Sequence, residues 1–297
     1  MNIVVASGKG GTGKTSVAVN LTAVAAQFAL PAFLYFIDCD VEAPNAALFF
    51  HPQFTSNATV ENRVPSIDEH ICTHCGVCAH ACQFHALSVT PQKVLFFPEL
   101  CHSCGVCSAV CQAGAIHEIA HPLGVIETGN IGNVLFMQGE MQIGNSSPVA
   151  IINQLLKELS EHSQNTAEEG IAIIDAPPGV SCALVASLQG ADLVLLVAEP
   201  TPFGFHDFQL TFQLVHEEMQ LPVAVIINKY GMGDSQVEDF CQANNIPIFQ
   251  RIPFSRSIAE SYARGELLVE TNARYNNDFK KTWQYILAAN GFQGAHD

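Results

Sequence analysis

Between the apolar run Asn2–Ser7 and a stretch with apolar positions Val17, Val19, Leu21, Val24 and Ala25 stands Gly8-Lys9-Gly10-Gly11-Thr12-Gly13-Lys14-Thr15. It fits G-x-x-x-x-G-K-[ST] in the strand–loop–helix context that this motif requires. With the next apolar run, Phe33–Asp38, it commits the chain to a βαβ opening. Glycines let the backbone curl so that its N–H groups face phosphate oxygens, and the following helix N-terminus adds positive potential. In such a loop Lys14 meets the β/γ-phosphates and the Thr15 hydroxyl binds Mg²⁺.

Farther along, the apolar strands Ile171–Asp175, Leu193–Val197 and Val223–Asn228 alternate with helical stretches Val149–His162, Phe205–Met219 and Ser235–Ala243. That alternation predicts an α/β fold, a P-loop NTPase with a mostly parallel sheet covered by helices. From Asn62 to about Pro122 the composition turns to Cys, His and short apolar pieces, which reads as an inserted domain. The expected organisation is a first ATPase part over 1–61, a small α+β insert over 62–122, and a second ATPase part over 123–297. Glu127–Ser147, rich in Gly and Asn, reads as an irregular connection with one short strand around Val134–Met137. Tyr275–Ala289 places Phe279, Trp283, Ile286 and Leu287 on a helical repeat, either a terminal helix packed on the core or a membrane-binding tail with only Lys280 and Lys281 as cations.

Twelve Lys and Arg against 28 Asp and Glu give a formal charge of −16, which leaves little to neutralise nucleic acid or anionic lipid. No leader pattern opens the sequence and no apolar run reaches membrane-spanning length, so a cytoplasmic location is expected. Eleven cysteines in such a compartment point to metal rather than disulfides.

Eight of the eleven form two runs, Cys72-x2-Cys75-x2-Cys78-x3-Cys82 and Cys101-x2-Cys104-x2-Cys107-x3-Cys111. This is the bacterial ferredoxin spacing written twice, in which each run gives three thiolates to one [4Fe–4S] cluster and its fourth to the other. Cluster I is then expected on Cys72, Cys75, Cys78 and Cys111, and cluster II on Cys101, Cys104, Cys107 and Cys82. The alternative is a pair of zinc sites, but zinc takes its ligands as two separated pairs and has no use for a doubled three-plus-one pattern. Gln83 and Gln112 stand where such runs usually carry Pro. His70, His74, His80, His85, His102, His117 and His121 read as solvated polar residues, and Cys39, Cys182 and Cys241 as buried, inert thiols.

The loop Lys9-Gly10-Gly11-Thr12-Gly13-Lys14-Thr15 resembles the deviant Walker A of the MinD/ParA/nitrogenase iron protein class, and the chain from Met1 to about Phe254 resembles members that carry an inserted ferredoxin domain. The resemblance implies an ATP-dependent homodimer in which Lys9 reaches the partner's nucleotide. It makes Asp38-Cys39-Asp40-Val41-Glu42-Ala43-Pro44-Asn45 a first switch, with Asp40 orienting the attacking water and Asp38 supporting the Mg²⁺ shell. Ile173–Gly179 is similar to the family's Walker B and second switch, with Asp175 holding Mg²⁺ through water and Gly179 sensing the γ-phosphate. Ala198-Glu199-Pro200-Thr201-Pro202-Phe203-Gly204, with Asp207, repeats a stretch common in that group. Asn228-Lys229 closes a strand as nucleotide-base loops do, and Gly231 stands where a guanine reader would need an acid, which favours adenine. Ile252-Pro253-Phe254 reads equally as a base loop and as a hydrophobic turn. The function implied is ATP-gated electron transfer to a redox client; a metallocofactor assembly factor and a spatial-organisation ATPase are the alternatives.

Overall fold

Near-continuous apolar strands need cover on both faces, and alternate residues of each strand bury on opposite sides. Residues 1–28, 32–145, 147–165 and 170–289 are described by the computed structural model. The elements run β1 (Asn2–Ala6), α1 (Lys14–Ala25), β2 (Phe33–Asp38), α2 (Ala47–Phe50), β3 (Gln53–Ile67), α3 (Val77–Ala81), β4 (Leu87–Val89), β5 (Val94–Phe96), α4 (Val106–Ala109), β6 (Ile116–Ile131), β7 (Val134–Met141) and α5 (Pro148–Asn165). They continue with β8 (Gly170–Asp175), α6 (Cys182–Ser187), β9 (Leu193–Ala198), α7 (Pro202–Phe212), β10 (Val223–Tyr230), α8 (Gln236–Ala243), β11 (Ile248–Pro253), α9 (Arg256–Ala263), α10 (Leu268–Thr271) and α11 (Ala273–Ala289). Ile3, Val5, Leu34, Phe36, Ile171 and Ile173 pack against α1 and α11, whereas Val4, Ala6, Tyr35, Ile37 and Ile174 pack in the core that α5, α6, α7 and α8 help build.

The sheet has the order β11-β10-β9-β1-β8-β2-β7-β6-β3. From β11 to β7 every pairing is parallel; β6 and β3 join antiparallel. Phe279, Trp283 and Ile286 of α11 are fully buried, so its apolar face belongs to the core and is not available to a membrane surface. No helix of the described residues is long and apolar enough to cross a membrane.

Two segments depart from the sequence expectation. The stretch around Glu127–Met141 is regular: β6 turns at Gly132 and Asn133 into β7, and β7 lies against β2 in register Asp38↔Gln138. Its glycines read as loop but serve close packing. A Cβ on Gly139 would come within 2.7 Å of Ile151 and 2.8 Å of Val41, and one on Gly129 within 2.8 Å of Phe54. Ile252 and Pro253, read as loop or turn, end strand β11 beside β10, with Pro253 paired to Tyr230.

The ribbon of β3 and β6 positions everything that follows. Its pairing runs from Gln53↔Asn130 to Ile67↔Ile116, so the residues 62 and 122 fall within strands rather than between elements. Only Gly124–Ile131 of β6 also pairs with β7, and Gly124 stands opposite Met141, the last residue of β7. Because β7 runs parallel to β2, the remaining part of β6, from Leu123 back to Ile116, extends past the carboxyl end of the sheet. At about 3.3 Å per residue the ribbon projects roughly 25 Å on the same side as the glycine loop. The cysteine segment, residues 68–115, forms a lobe at its tip around Cys78, Leu87, Val94 and Ile116.

Candidate functional site

Parallel strands deliver their carboxyl ends to one rim, and ligands of open α/β sheets bind there. The glycine loop sits between β1 and α1 at that rim. Gly13 takes φ +92° as the residue before α1, and a Cβ there would overlap the Asn228 amide; a Cβ on Gly8 would overlap the backbone of Asp207. Asn228 Nδ2 donates to Thr12 O at 2.7 Å, and Lys229 Nζ to Gly11 O at 2.9 Å. Asn228 and Lys229, the residues expected at the base, thus brace the loop from β10 in this structure.

β8 lies between β1 and β2, and the register sets Asp38 beside Asp175. Both aspartates are fully buried. Lys14 Nζ reaches Asp175 Oδ1 at 2.9 Å and Asp40 Oδ2 at 3.8 Å. Burial works against the Lys14 charge, but Asp175, with Asp40 and Asp38 behind it, holds its pKa above the ordinary lysine value. Asp38 accepts from the backbone N–H groups of Asp40, Asn45 and Ala46, each at 3.1 Å, and so organises the first switch loop from within. Burial, then the Asp175 charge, push Asp38 up to about 7; burial also raises Asp40, to about 6.

Asp175 Oδ2 is buried without a hydrogen-bond partner among the described residues. Such an oxygen needs a ligand, and with the Thr15 hydroxyl one helical position past Lys14 the donor set is oxygen-rich and suits Mg²⁺. Gly179 N donates to Ser7 O at 3.0 Å with φ +82°, which ties the second switch to the base of the loop.

Glu199, at the end of β9, is the member of this site that motif reading passed over except as part of a longer stretch. Its nearly buried carboxylate meets Lys9 Nζ at 3.5 Å, Lys229 Nζ at 2.7 Å and the Thr201 hydroxyl at 3.2 Å. Burial opposes its charge, but the Lys229 hydrogen bond and both lysine charges hold it below the ordinary carboxylate range. Lys9 therefore rests on its own chain here.

The cysteine lobe repeats itself with an offset of 29 residues. His74 N and Ser103 N donate to Cys72 Sγ and Cys101 Sγ at 3.5 and 3.4 Å; Ala86 N and Ala115 N donate to Cys82 Sγ and Cys111 Sγ at 3.4 and 3.3 Å. The left-handed residues repeat likewise: His74 with Ser103, Gly76 with Gly105, His85 with Gly114. These turns aim backbone N–H groups at sulfur. Cys82, Cys101, Cys104 and Cys107 line one cleft together with Phe84, His102 and Arg63. Those four are the expected cluster II set. The grouping is a three-plus-one donor set with amide support, which fits an all-thiolate iron–sulfur cluster.

Cys39 and Cys241 are buried, as expected, and burial pushes both thiols up. Cys182 is exposed, contrary to expectation, because it opens α6 directly after the Ser181 cap, on the rim rather than beneath it. His70, His80, His85, His102 and His117 are exposed; His74 and His121 are half-buried.

The family model described as the CobQ/CobB/MinD/ParA nucleotide binding domain matches residues 3–269. An uncharacterised protein of Methanocaldococcus jannaschii is 30% identical over 288 residues, which is 96% of each chain. Among solved structures, the septum site-determining protein MinD of Pyrococcus horikoshii with Mg-ADP superposes with a TM-score of 0.58 at 16% identity, over 96% of this chain and 95% of that one. The MinC:MinD cell division complex of Aquifex aeolicus gives 0.57 at 16%, over 97% and 95%.

Proposed function

This chain belongs to the CobQ/CobB/MinD/ParA nucleotide-binding domain family, and from that premise we propose that it is a Mg-ATP-hydrolysing ATPase whose nucleotide state controls a module of two [4Fe–4S] clusters, for gated electron transfer to a protein client. The observation that carries the reading is the path from switch to lobe. Val41, next to Asp40, accepts from Met141 N at 2.8 Å, and Gln142 N donates to Leu123 O at 2.8 Å. Leu123 lies on β6, the strand that runs on into the lobe. A shift of the first switch on γ-phosphate binding is therefore passed to the ribbon through backbone hydrogen bonds.

In this reading the glycine-loop amides and Lys14 hold the β/γ-phosphates, and Thr15 with Asp175 holds Mg²⁺. With Mg²⁺ and phosphate bound, Lys14 would serve the phosphate and Asp175, which it meets at 2.9 Å here, would be free to hold the cation. Asp40 orients the attacking water. Lys9 exchanges Glu199 for the nucleotide of a second copy of the chain, which gives the homodimer. Cys72, Cys75, Cys78 and Cys111 hold one cluster, and Cys101, Cys104, Cys107 and Cys82 the other. When bound, each cluster supplies a one-electron carrier.

A second reading is a spatial-organisation ATPase, favoured by the fold likeness to MinD. The test is anaerobic titration of a non-hydrolysable ATP analogue into oxidised and reduced protein. A redox-gated ATPase gives dissociation constants that differ by roughly 5–150-fold, the usual range of site-to-site coupling. About eight iron atoms per chain are expected. Equal constants would refute gating and leave the organisation reading; stoichiometric zinc without iron would refute the cluster assignment.

A further inference from the structure

The 29-residue repeat offers an internal control, because each residue around the first cysteine run has a counterpart around the second. Most counterparts are chemically close: Ile71 with Leu100, Val77 with Val106, Ala86 with Ala115. One is not. Glu69 stands three residues before Cys72, whereas its counterpart before Cys101 is Pro98.

Glu69 is held in place at both oxygens. Oε1 accepts from Val94 N at 2.9 Å, and Oε2 pairs with His74 Nε2 at 2.8 Å. A carboxylate oxygen of Glu69, Cys72 Sγ and a ring nitrogen of His74 all lie within 4.8 Å of one another. The counterpart of His74 is Ser103, so the second run lacks both partners. The cleft of the second run does carry Glu118, which accepts from the Ser108 hydroxyl at 3.2 Å, but Arg63 lines the same cleft with the opposite charge. The first run therefore has a carboxylate fixed within 4.8 Å of a cysteine sulfur, with the Lys93 charge acting on it from farther off, and the second has Glu118 and Arg63 in its cleft and Glu99 two residues before Cys101.

Resting on the cluster reading above, we propose that Glu69 lowers the reduction potential of the site of Cys72, Cys75, Cys78 and Cys111, and of that site alone. A fixed negative charge disfavours an added electron nearby, and its effect falls with distance and screening. Glu69 lies against the first run, at Cys72. It is a positioning residue for charge, and nothing in its packing needs the charge itself: the Val94 N–H is equally served by a neutral amide oxygen.

The test is an EPR-monitored redox titration of intact, anaerobically prepared protein, wild type and Glu69→Gln, with dithionite as reductant. All variants are measured at one pH, 8.5. Wild type gives two one-electron contributions. Glu69→Gln moves one contribution upward and leaves the other in place, while Glu69→Asp, which keeps the charge, leaves both near their wild-type positions and serves if the Gln variant fails to assemble. No contribution moved in Glu69→Gln, both moved alike, or an upward shift in Glu69→Asp as large as in Glu69→Gln would overturn the role of Glu69. Wild-type protein with no [4Fe–4S] signal at all would instead overturn the cluster reading on which it rests.

Discussion

Replacing Lys14 with alanine should unfold the nucleotide-free protein more readily as well as abolish nucleotide binding. Lys14 is buried, and its Nζ is 2.9 Å from an Asp175 carboxylate that is fully buried and has one oxygen already unpartnered. Removing the cation leaves a buried charge without compensation, which typically costs about 3–5 kcal/mol. The loss should be fully present at pH 8. Lys14 has its pKa raised in the fold, so its contribution persists below the ordinary lysine value and disappears only as pH rises through the folded one. The assay is urea unfolding at pH 8 with a chelator, followed by the fluorescence of Trp283, the single tryptophan and fully buried. With Asp175→Asn added, most of the loss should return, because the neutral amide no longer needs the cation, and the double-mutant cycle gives the pair energy directly. A Lys14→Ala protein within about 1 kcal/mol of wild type, below the usual cost of a broken buried pair, would refute the reasoning. So would a double variant no more stable than Lys14→Ala.

Asp40→Ala should keep ATP binding but lower turnover sharply and accumulate an ATP-dependent dimer, seen by light scattering; unchanged turnover would remove Asp40 from the water-orienting role. Apo stability should fall as pH rises from about 4 to about 7, because Asp38 and Asp40 keep protons in the fold at pH values where the unfolded carboxyls have lost theirs. Urea midpoints across that window check this, and Asp38→Asn should flatten the slope; a midpoint that rises instead would contradict the burial of Asp38.

The sequence alone determined the elements whose physics is local. A glycine loop between a strand and a helix has few other uses, and apolar runs such as Ile171–Asp175 and Leu193–Val197 fit only a sheet covered on both faces. The cysteine spacing was equally legible, since Cys-x2-Cys-x2-Cys-x3-Cys is a statement about one short turn and one helix start. Lys14 opens α1, Asp38 and Asp175 end β2 and β8, and Asp40 follows β2, so local pattern was enough to single out all four as candidates.

Tertiary structure alone decided what depends on neighbours distant in the chain. The glycines of β6 and β7 looked like a loop because their reason lies in Gln53, Val41 and Ile151, which approach too closely for a side chain. Glu199 gained its place between Lys9 and Lys229 from the order of β9, β1 and β10 in the sheet, which local pattern does not specify. Cys182 was read as buried for want of the α6 geometry that sets it on the rim. The side on which the cysteine lobe stands followed from the antiparallel register of β6 on β7. Register is fixed by which faces bury across the whole sheet, so no segment read by itself contains it.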